Sequence, residues 1–267
     1  MDYIKRLDNY DGQTIAQECV EFGLFEEAFE IYRKQNFECE ALNVLLTHLG
    51  DVVRGAEFAE KINSAQVWSQ LGHAYLNQGK INQALDCYLK CNECNTFGQV
   101  IGLGESQADP AKFVAYLLMA RQQVKDQVID NALCYVYAKQ NQLNELAEML
   151  KGPNSADVQR VGDRCYDDKL YEAAKILFIN VKNNAKIASC LVRLGQYQQA
   201  IDSAKKANSP KTWQELCFAC VDAEEFSLAG IAGLNIIVHP DHLEEIIVHY
   251  ENKGCPEHMI ELLQEGM

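Results

Sequence analysis

Apolar residues recur along this chain with the spacing of amphipathic helices. Phe25, Ala28 and Phe29 form one such stripe, and similar stripes follow through most of the 267 residues. Runs that alternate apolar and polar residues, which indicate half-buried strands, are absent from the sequence. The five prolines lie where helices would begin or end, as at Pro110 and Pro210. The pattern predicts an all-α chain.

A short sequence motif recurs along the chain. It consists of a turn residue, an apolar or aromatic residue two positions later, and a small residue inside the following apolar stripe. It occurs at residues 23–28, 79–84, 169–174 and 195–200, with weaker copies near Gly50, Ala108, Asn141, Ala223 and Gly254. The mean spacing is about 29 residues, which is the length of two short helices with their turns. One hairpin of this kind cannot bury both of its faces, so neighbouring hairpins must stack.

A longer period overlies the short one. The two tryptophans, Trp68 and Trp213, lie 145 residues apart, and Gly50 matches Gly195 at the same offset. We therefore predict an α-solenoid, a superhelical array of about nine hairpins grouped in units of about 145 residues. The expected organisation is the end of a preceding hairpin at 1–22, a first unit at 23–167 and an incomplete second unit at 168–267, without a flexible linker. Ordinary packing in a compact helical domain is the alternative.

Composition limits the classes of partner. The chain has 38 acidic and 24 basic residues, hence a net charge of −14. Such a chain is repelled by phosphate backbones and by anionic lipids, so we expect no nucleic acid partner and no direct membrane insertion. The sequence contains no signal-peptide pattern and no apolar run of bilayer length. Its eleven cysteines therefore indicate reduced thiols in a cytoplasmic protein.

The cysteines are the first candidates for chemistry. Cys87, Cys91 and Cys94 would share a helix face if one helix ran through all three, and Cys217 and Cys220 have C-x-x-C spacing. Zinc would need a fourth ligand near the first group. The second group lies in an apolar helical run, where cysteine acts as a small hydrophobe. Structural thiols are the preferred interpretation, and a cysteine-based zinc or redox protein is the alternative from another functional class.

Other catalytic and cofactor signals are absent from the sequence. No phosphate-binding glycine loop, zinc-protease helix, nucleophile elbow or kinase signature occurs. His242 and His249 lie on roughly one helix face, where a surface stripe is favoured over a metal pair. We predict no catalytic residue, no cofactor and no metal.

One surface feature stands out, a basic band between residues 169 and 211. It has eight basic residues against two acidic ones, whereas residues 212–267 have eleven acidic residues and one lysine. The band could be a solvated face, or it could contact an acidic segment of a partner or of a neighbouring copy. Its members are Lys169, Lys175, Lys182, Lys186, Arg193, Lys205, Lys206 and Lys211.

Several stretches together resemble the clathrin heavy chain family. They are Val161-Gly162-Asp163-Arg164-Cys165-Tyr166-Asp167, Lys205-Lys206-Ala207-Asn208-Ser209 with Thr212-Trp213, Cys217-Phe218-Ala219-Cys220-Val221-Asp222, and the opening Met1-Asp2-Tyr3-Ile4. The resemblance runs from end to end. Residues 77–150 depart most from the family pattern, which points to a divergent eukaryote.

The resemblance implies a role in a vesicle coat. In that family the leg is built from helical repeats of about 145 residues, and this chain looks like an excised piece of leg around the knee and proximal leg. It implies a structural scaffold that packs with other heavy chain legs in the polyhedral coat of endocytic and transport vesicles. It also implies a clathrin light chain as a further partner, although no contact residue is carried over. A subunit of a vacuolar-sorting tethering complex, which uses a similar repeat, is the alternative.

Overall fold

The computed structural model describes residues 11–266, without the side chains of residues 240 and 241. The opening segment that carries part of the family resemblance, and the first ten residues of the expected preceding hairpin, lie outside the described residues. Within them every regular element is helical, which confirms the all-α prediction. The elements are α1 (Gly12–Glu21), α2 (Phe25–Lys34), α3 (Glu38–Asn43, continued by a π-helical turn at Val44–His48), α4 (Val52–Ile62), α5 (Ala65–Asn77), α6 (Ile81–Cys91), α7 (Phe97–Gln107), α8 (Pro110–Gln123), α9 (Gln127–Lys139), α10 (Leu143–Lys151), α11 (Val158–Asp167), α12 (Tyr171–Asn180), α13 (Asn184–Arg193), α14 (Tyr197–Ala207), α15 (Pro210–Asp222), α16 (Phe226–Leu234), α17 (Pro240–Asn252) and α18 (Pro256–Gly266).

The turn residue of the recurring motif ends one helix and positions the next. After α1, Gly23 adopts a left-handed conformation with φ +76°. The amide of Leu24 donates to the carbonyl of Cys19 at 2.7 Å, and the amide of Gly23 donates to Val20 at 3.1 Å. These two bonds form a Schellman cap, which satisfies carbonyls that the helix end leaves unpaired. Helix α2 begins two residues after the glycine, so the cap sets the angle between the helices of the hairpin.

The small residue of the motif lies at the contact between helices. Ala28, Ala84, Ala174 and Ala200 each stand five positions after the turn residue, and all four are fully buried. A methyl group at these positions lets the helices approach closely, and larger side chains fill the space beside it. The recurring motif thus encodes both the turn and the packing of each hairpin.

Glycines inside helices allow the closest approaches. A Cβ atom at Gly162 would lie 2.8 Å from the ring of Phe178, and one at Gly72 would lie 2.7 Å from the ring of Tyr88. Each glycine belongs to the first helix of a hairpin and each ring to the second, sixteen residues later. Both rings are fully buried. The two helices inside each of these hairpins therefore interlock in the same way.

The described helices form two compact units, which divide between residues 133 and 134. In the first unit α1 packs on α2 and α5 on α6, while α3 contacts α5 and α6 contacts α8. In the second unit α11 packs on α12, α13 on α14 and α15 on α16, while α13 contacts α15 and α14 contacts α16. Each unit is therefore a stack of helix hairpins in which an element contacts its next one or two successors. This is the repeated arrangement of an α-solenoid.

Helix boundaries repeat with the period found in the sequence. α4 (Val52–Ile62) and α5 (Ala65–Asn77) correspond at an offset of 145 residues to α14 (Tyr197–Ala207) and α15 (Pro210–Asp222). Asn63 and Asn208, between the helices of each pair, both adopt left-handed conformations, with φ of 53° and 47°. The proposed unit boundaries at 23–167 and 168–267 describe this sequence repeat, and they stay a prediction.

Candidate partner-binding surface

The eight members of the basic band lie on α12 to α15, in the turns between these helices and in the turn that precedes α12. Lys169 and Lys182 occupy turns, and Lys205 and Lys206 lie in the last turn of α14. Six of the eight side chains are exposed and two, Lys175 and Lys186, are half-buried. The structure divides these residues into groups with different surroundings, so the band is not a uniform charged face.

Lys186 has a role inside the fold. Its Nζ atom lies 2.9 Å from Oδ1 of Asp163, so the pair joins α13 to α11. Gln159 also donates to Asp163, at 3.0 Å. Burial opposes ionisation of Asp163, but the hydrogen bonds from Lys186 and Gln159 outweigh it and lower the pKa of the carboxyl. The bond to Asp163 raises the pKa of Lys186. Lys186 is therefore a structural member of the band.

Other members have local partners. Lys175 pairs with Glu172 at 2.6 Å, one helical turn away. Nε of Arg193 donates to the hydroxyl of Tyr166 at 3.3 Å. Lys205 lies 3.9 Å from Asp202, and both side chains are exposed. An exposed ion pair such as Lys205 with Asp202 stabilises a fold by only about 0–1 kcal/mol, so it leaves the charge of the lysine available to a partner.

A groove between α12, α13 and α14 brings three lysines of the band together. Its volume is about 460 Å³. Lys175, Lys182 and Lys206 lie around apolar side chains of which Ile179 is 54% exposed. The lining contains no carboxylate and consists of Lys175, Ile179, Lys182, Asn184, Ile187, Leu191, Gln199, Ser203 and Lys206. Cationic and apolar groups thus meet on one concave surface.

The count of basic residues in the sequence did not predict this groove. Lys175 and Ile179 are one turn apart on α12, which is a signal of a shared face. Lys182 follows the end of that helix in a left-handed turn, with φ of 57°. Lys206 comes from α14, and only the packing of the hairpins brings it to the same groove. Lys169, Lys205 and Lys211 are exposed, but they do not line it.

The cysteines do not form a reactive cluster. The condition that one helix runs through Cys87, Cys91 and Cys94 is not met, because α6 ends at Cys91 and Asn92 adopts a left-handed conformation with φ of 56°. Cys94 instead contacts Gln123, with Sγ 3.3 Å from Oε1. Burial raises the pKa of Cys87 to about 12. A buried neutral thiol is a poor nucleophile and a poor metal ligand.

The C-x-x-C pair has similar surroundings. Cys217 and Cys220 are fully buried in α15, and burial raises their pKa values to about 11 and about 12. None of the eleven thiols, all of which lie within residues 11–266, is in a disulfide. The described residues contain no group of three or more His, Cys, Asp or Glu side chains that could hold a metal ion. The zinc or redox alternative is not favoured.

One member of the histidine stripe, His249, has a structural role. The ring of His249 stacks on Phe218 with centroids 4.2 Å apart, and its Nε2 atom lies 2.9 Å from Asp222. Lys253 pairs with the same carboxylate at 2.9 Å. His249 thus connects α17 to α15.

Among residues 11–266, no helix combines the length and the apolar character that crossing a membrane requires.

Comparison with known proteins gives one consistent result. A sequence model described as the region in clathrin and VPS matches residues 1–83 and 88–228. The clathrin heavy chain of Dictyostelium discoideum is 45% identical over 266 residues, which is 100% of this chain and 16% of that protein. Clathrin heavy chain 1 of Arabidopsis thaliana is 46% identical and human clathrin heavy chain 2 is 41% identical, each over 267 residues with the same coverage. The chain spans 16% of the length of these relatives, and a vacuolar-sorting tethering subunit is not favoured.

Proposed function

The chain belongs to the clathrin heavy chain family, and on that basis we propose that it is a scaffold segment of the heavy chain leg. In this role it packs with other legs in the polyhedral coat of transport vesicles, in endocytosis and intracellular traffic. The observation that carries the proposal is the identity of 41–46% over the whole chain, combined with stacked hairpins in each unit. The chain acts mechanically and is not an enzyme.

Stacked hairpins suit this role. Each hairpin is held by its neighbours, so stability is approximately the sum of local contacts between successive hairpins. A coat needs many contacts that are individually weak, because it must assemble and be dismantled. The interlocked pairs, such as Gly162 with Phe178, support this by resisting deformation inside each hairpin.

The expected partners are other heavy chain legs and a clathrin light chain. The exposed lysines of the basic band are the candidate contacts, since they contrast with a net charge of −14 for the chain. The same net charge argues against nucleic acid and direct membrane contact. From the family, we infer that the segment acts on the cytosolic face of coated pits and vesicles, held away from the bilayer. Changing Lys205 and Lys206 to Glu should weaken light-chain or leg–leg association in a pull-down. Unchanged association would leave the band as a solvated face.

A segment exchange tests the scaffold role. The matching segment of the Dictyostelium discoideum clathrin heavy chain is replaced by this chain, and the purified full-length protein is tested for cage formation by sedimentation and electron microscopy. We expect cages at close to the yield of the unmodified heavy chain. An unrelated helical repeat of equal length is the control and should give none. A folded, soluble exchange protein that forms no cages would refute the proposed function.

A further inference from the structure

We propose that the groove between α12, α13 and α14 docks a short acidic segment of a partner protein. The segment would place carboxylates near Lys175, Lys182 and Lys206 and an apolar side chain on Ile179. This goes beyond the scaffold role, because the groove can bind such a segment whether or not a coat assembles. The inference rests on three features of the groove: its charge, its size and its apolar floor.

The charge of the groove is positive and largely uncompensated. Lys182 and Lys206 are exposed, and no carboxylate of the described residues pairs with either of them. Lys175 shares its charge with Glu172 at 2.6 Å. Residues 212–267, by contrast, have eleven acidic residues and one lysine. An acidic segment is therefore repelled by that part of the chain and attracted to the groove, which favours both specificity and fast association.

The size of the groove favours a short segment over a folded domain. A volume of about 460 Å³ accommodates a few side chains, and pockets for small ligands have volumes of about 300–1,000 Å³. A stable contact between folded proteins buries about 800 Å² on each partner, which is far more surface than this groove offers. A linear segment can bind here with a few anchoring side chains.

The floor of the groove favours a peptide over an inorganic anion. Ile179 is 54% exposed, and Ile187 and Leu191 line the groove beside it. A phosphate ion would leave the exposed side chain of Ile179 in contact with water, whereas a leucine or phenylalanine of a peptide would cover it. The groove also lacks arginine, whose planar guanidinium suits bidentate binding of phosphate. Lysine and isoleucine together fit carboxylates with an apolar neighbour.

The experiment selects binders without assuming a sequence. A random peptide library displayed on phage is panned on the full chain, and selected peptides are synthesised with a fluorescent label for titration. We expect enrichment of Asp and Glu around one apolar residue. For the selected peptides, changing Lys182 and Lys206 to Glu should raise Kd at least tenfold, which corresponds to about 1.4 kcal/mol.

The matched control changes Lys205 and Lys211 to Glu. It makes the same change in net charge at exposed positions outside the groove, so Kd should change less than about threefold by long-range effects alone. Circular dichroism establishes that both variants keep the helical fold. Ile179→Ser should also weaken binding, because it removes the apolar floor.

Several outcomes would overturn the proposal. These are a selection without acidic enrichment, an equal loss of binding in the control variant, and full competition by millimolar inorganic phosphate. Self-association of the chain that only the Lys182 and Lys206 changes abolish would instead identify a second copy as the occupant. The peptide titration measures binding to the chain without a coat, and the segment-exchange protein carries an unmodified groove. Failure of this inference and failure of the scaffold role are therefore distinguishable.

Discussion

Changing Gly162 to Ala should destabilise the second unit, although alanine is the better helix former. Gly162 lies inside α11, where replacement of glycine by alanine usually stabilises by about 0.5–1 kcal/mol. The new Cβ atom would lie 2.8 Å from Cε1 of Phe178, whereas ordinary contact begins at 3.4 Å. Because Phe178 is fully buried, its ring cannot move into solvent. Such overpacking costs about 1–3 kcal/mol, so we expect a net loss of about 1 kcal/mol.

Gly230 provides the matched control in the same unit. It lies inside α16, and no heavy atom of the described residues outside its own helix backbone and chain neighbours comes within 4 Å of a Cβ built there. Gly230→Ala should therefore stabilise by about 0.5–1 kcal/mol, because only helix propensity changes. The difference between the two variants isolates the steric cost at Gly162. Thermal unfolding followed by circular dichroism measures it, since 1 kcal/mol shifts the Tm of a chain of this size by about 2–4 °C.

A second substitution tests the cause. Changing Phe178 to Leu replaces the ring that the new methyl group would meet, so the double variant should be more stable than the sum of the two single changes predicts. Two results would refute the interlocking of these helices. One is a Tm for Gly162→Ala as high as that for Gly230→Ala, and the other is strict additivity of the changes at Gly162 and Phe178.

Three further predictions concern stability and chemistry. Lys169→Gly should stabilise by about 1 kcal/mol in chemical denaturation, because Lys169 has φ of 64°, which glycine adopts without strain; an unchanged midpoint would contradict this. The pKa of Asp163 is lower in the folded state than in the unfolded state, so its carboxylate stabilises the fold above the ordinary carboxyl pKa of about 4 and loses this effect as pH falls through the lowered value; Asp163→Asn should therefore lose less stability than the unmodified chain between about pH 5 and pH 2. Ellman's reagent at about pH 8 should react quickly with at most the three half-buried thiols, Cys39, Cys91 and Cys255, and with all eleven after denaturation; a fast reaction of more than three in the native chain would show that the other thiols are accessible.

The hairpins could be predicted from the sequence because their signals are local. The cap at Gly23 and the buried Ala28 lie five residues apart, so one short motif contains the turn, the helix start and the packing contact. One weak copy differs in structure: Ala108 has φ of −78°, and α8 starts after Asp109, whose carboxylate accepts from the amides of Ala111 and Lys112. A helix start can thus be set by an N-cap alone, without a left-handed residue before it.

The end of α6 shows why helix faces cannot be read from spacing alone. Cys87, Cys91 and Cys94 have helical spacing, but the helix must continue for that spacing to have meaning. Asn92 is second only to glycine in accepting the left-handed conformation, and here it ends the helix. The signal was therefore present in the sequence. It competes with an apolar pattern that favours continuation, and tertiary packing decides between them.

The basic band differs from both cases because its grouping is not local at all. Consecutive helix residues point about 100° apart, so Lys205 and Lys206 face different surroundings although they are neighbours. Lys206 lines the groove, while Lys205 lies 3.9 Å from Asp202. Lys186 carries the same charge but holds α13 to α11. A charge count weights all three equally, and reversing the whole band would combine a loss of folding with a loss of binding. Only variants matched in charge and different in position, such as those at Lys206 and Lys205, can separate a docking groove from a solvated face.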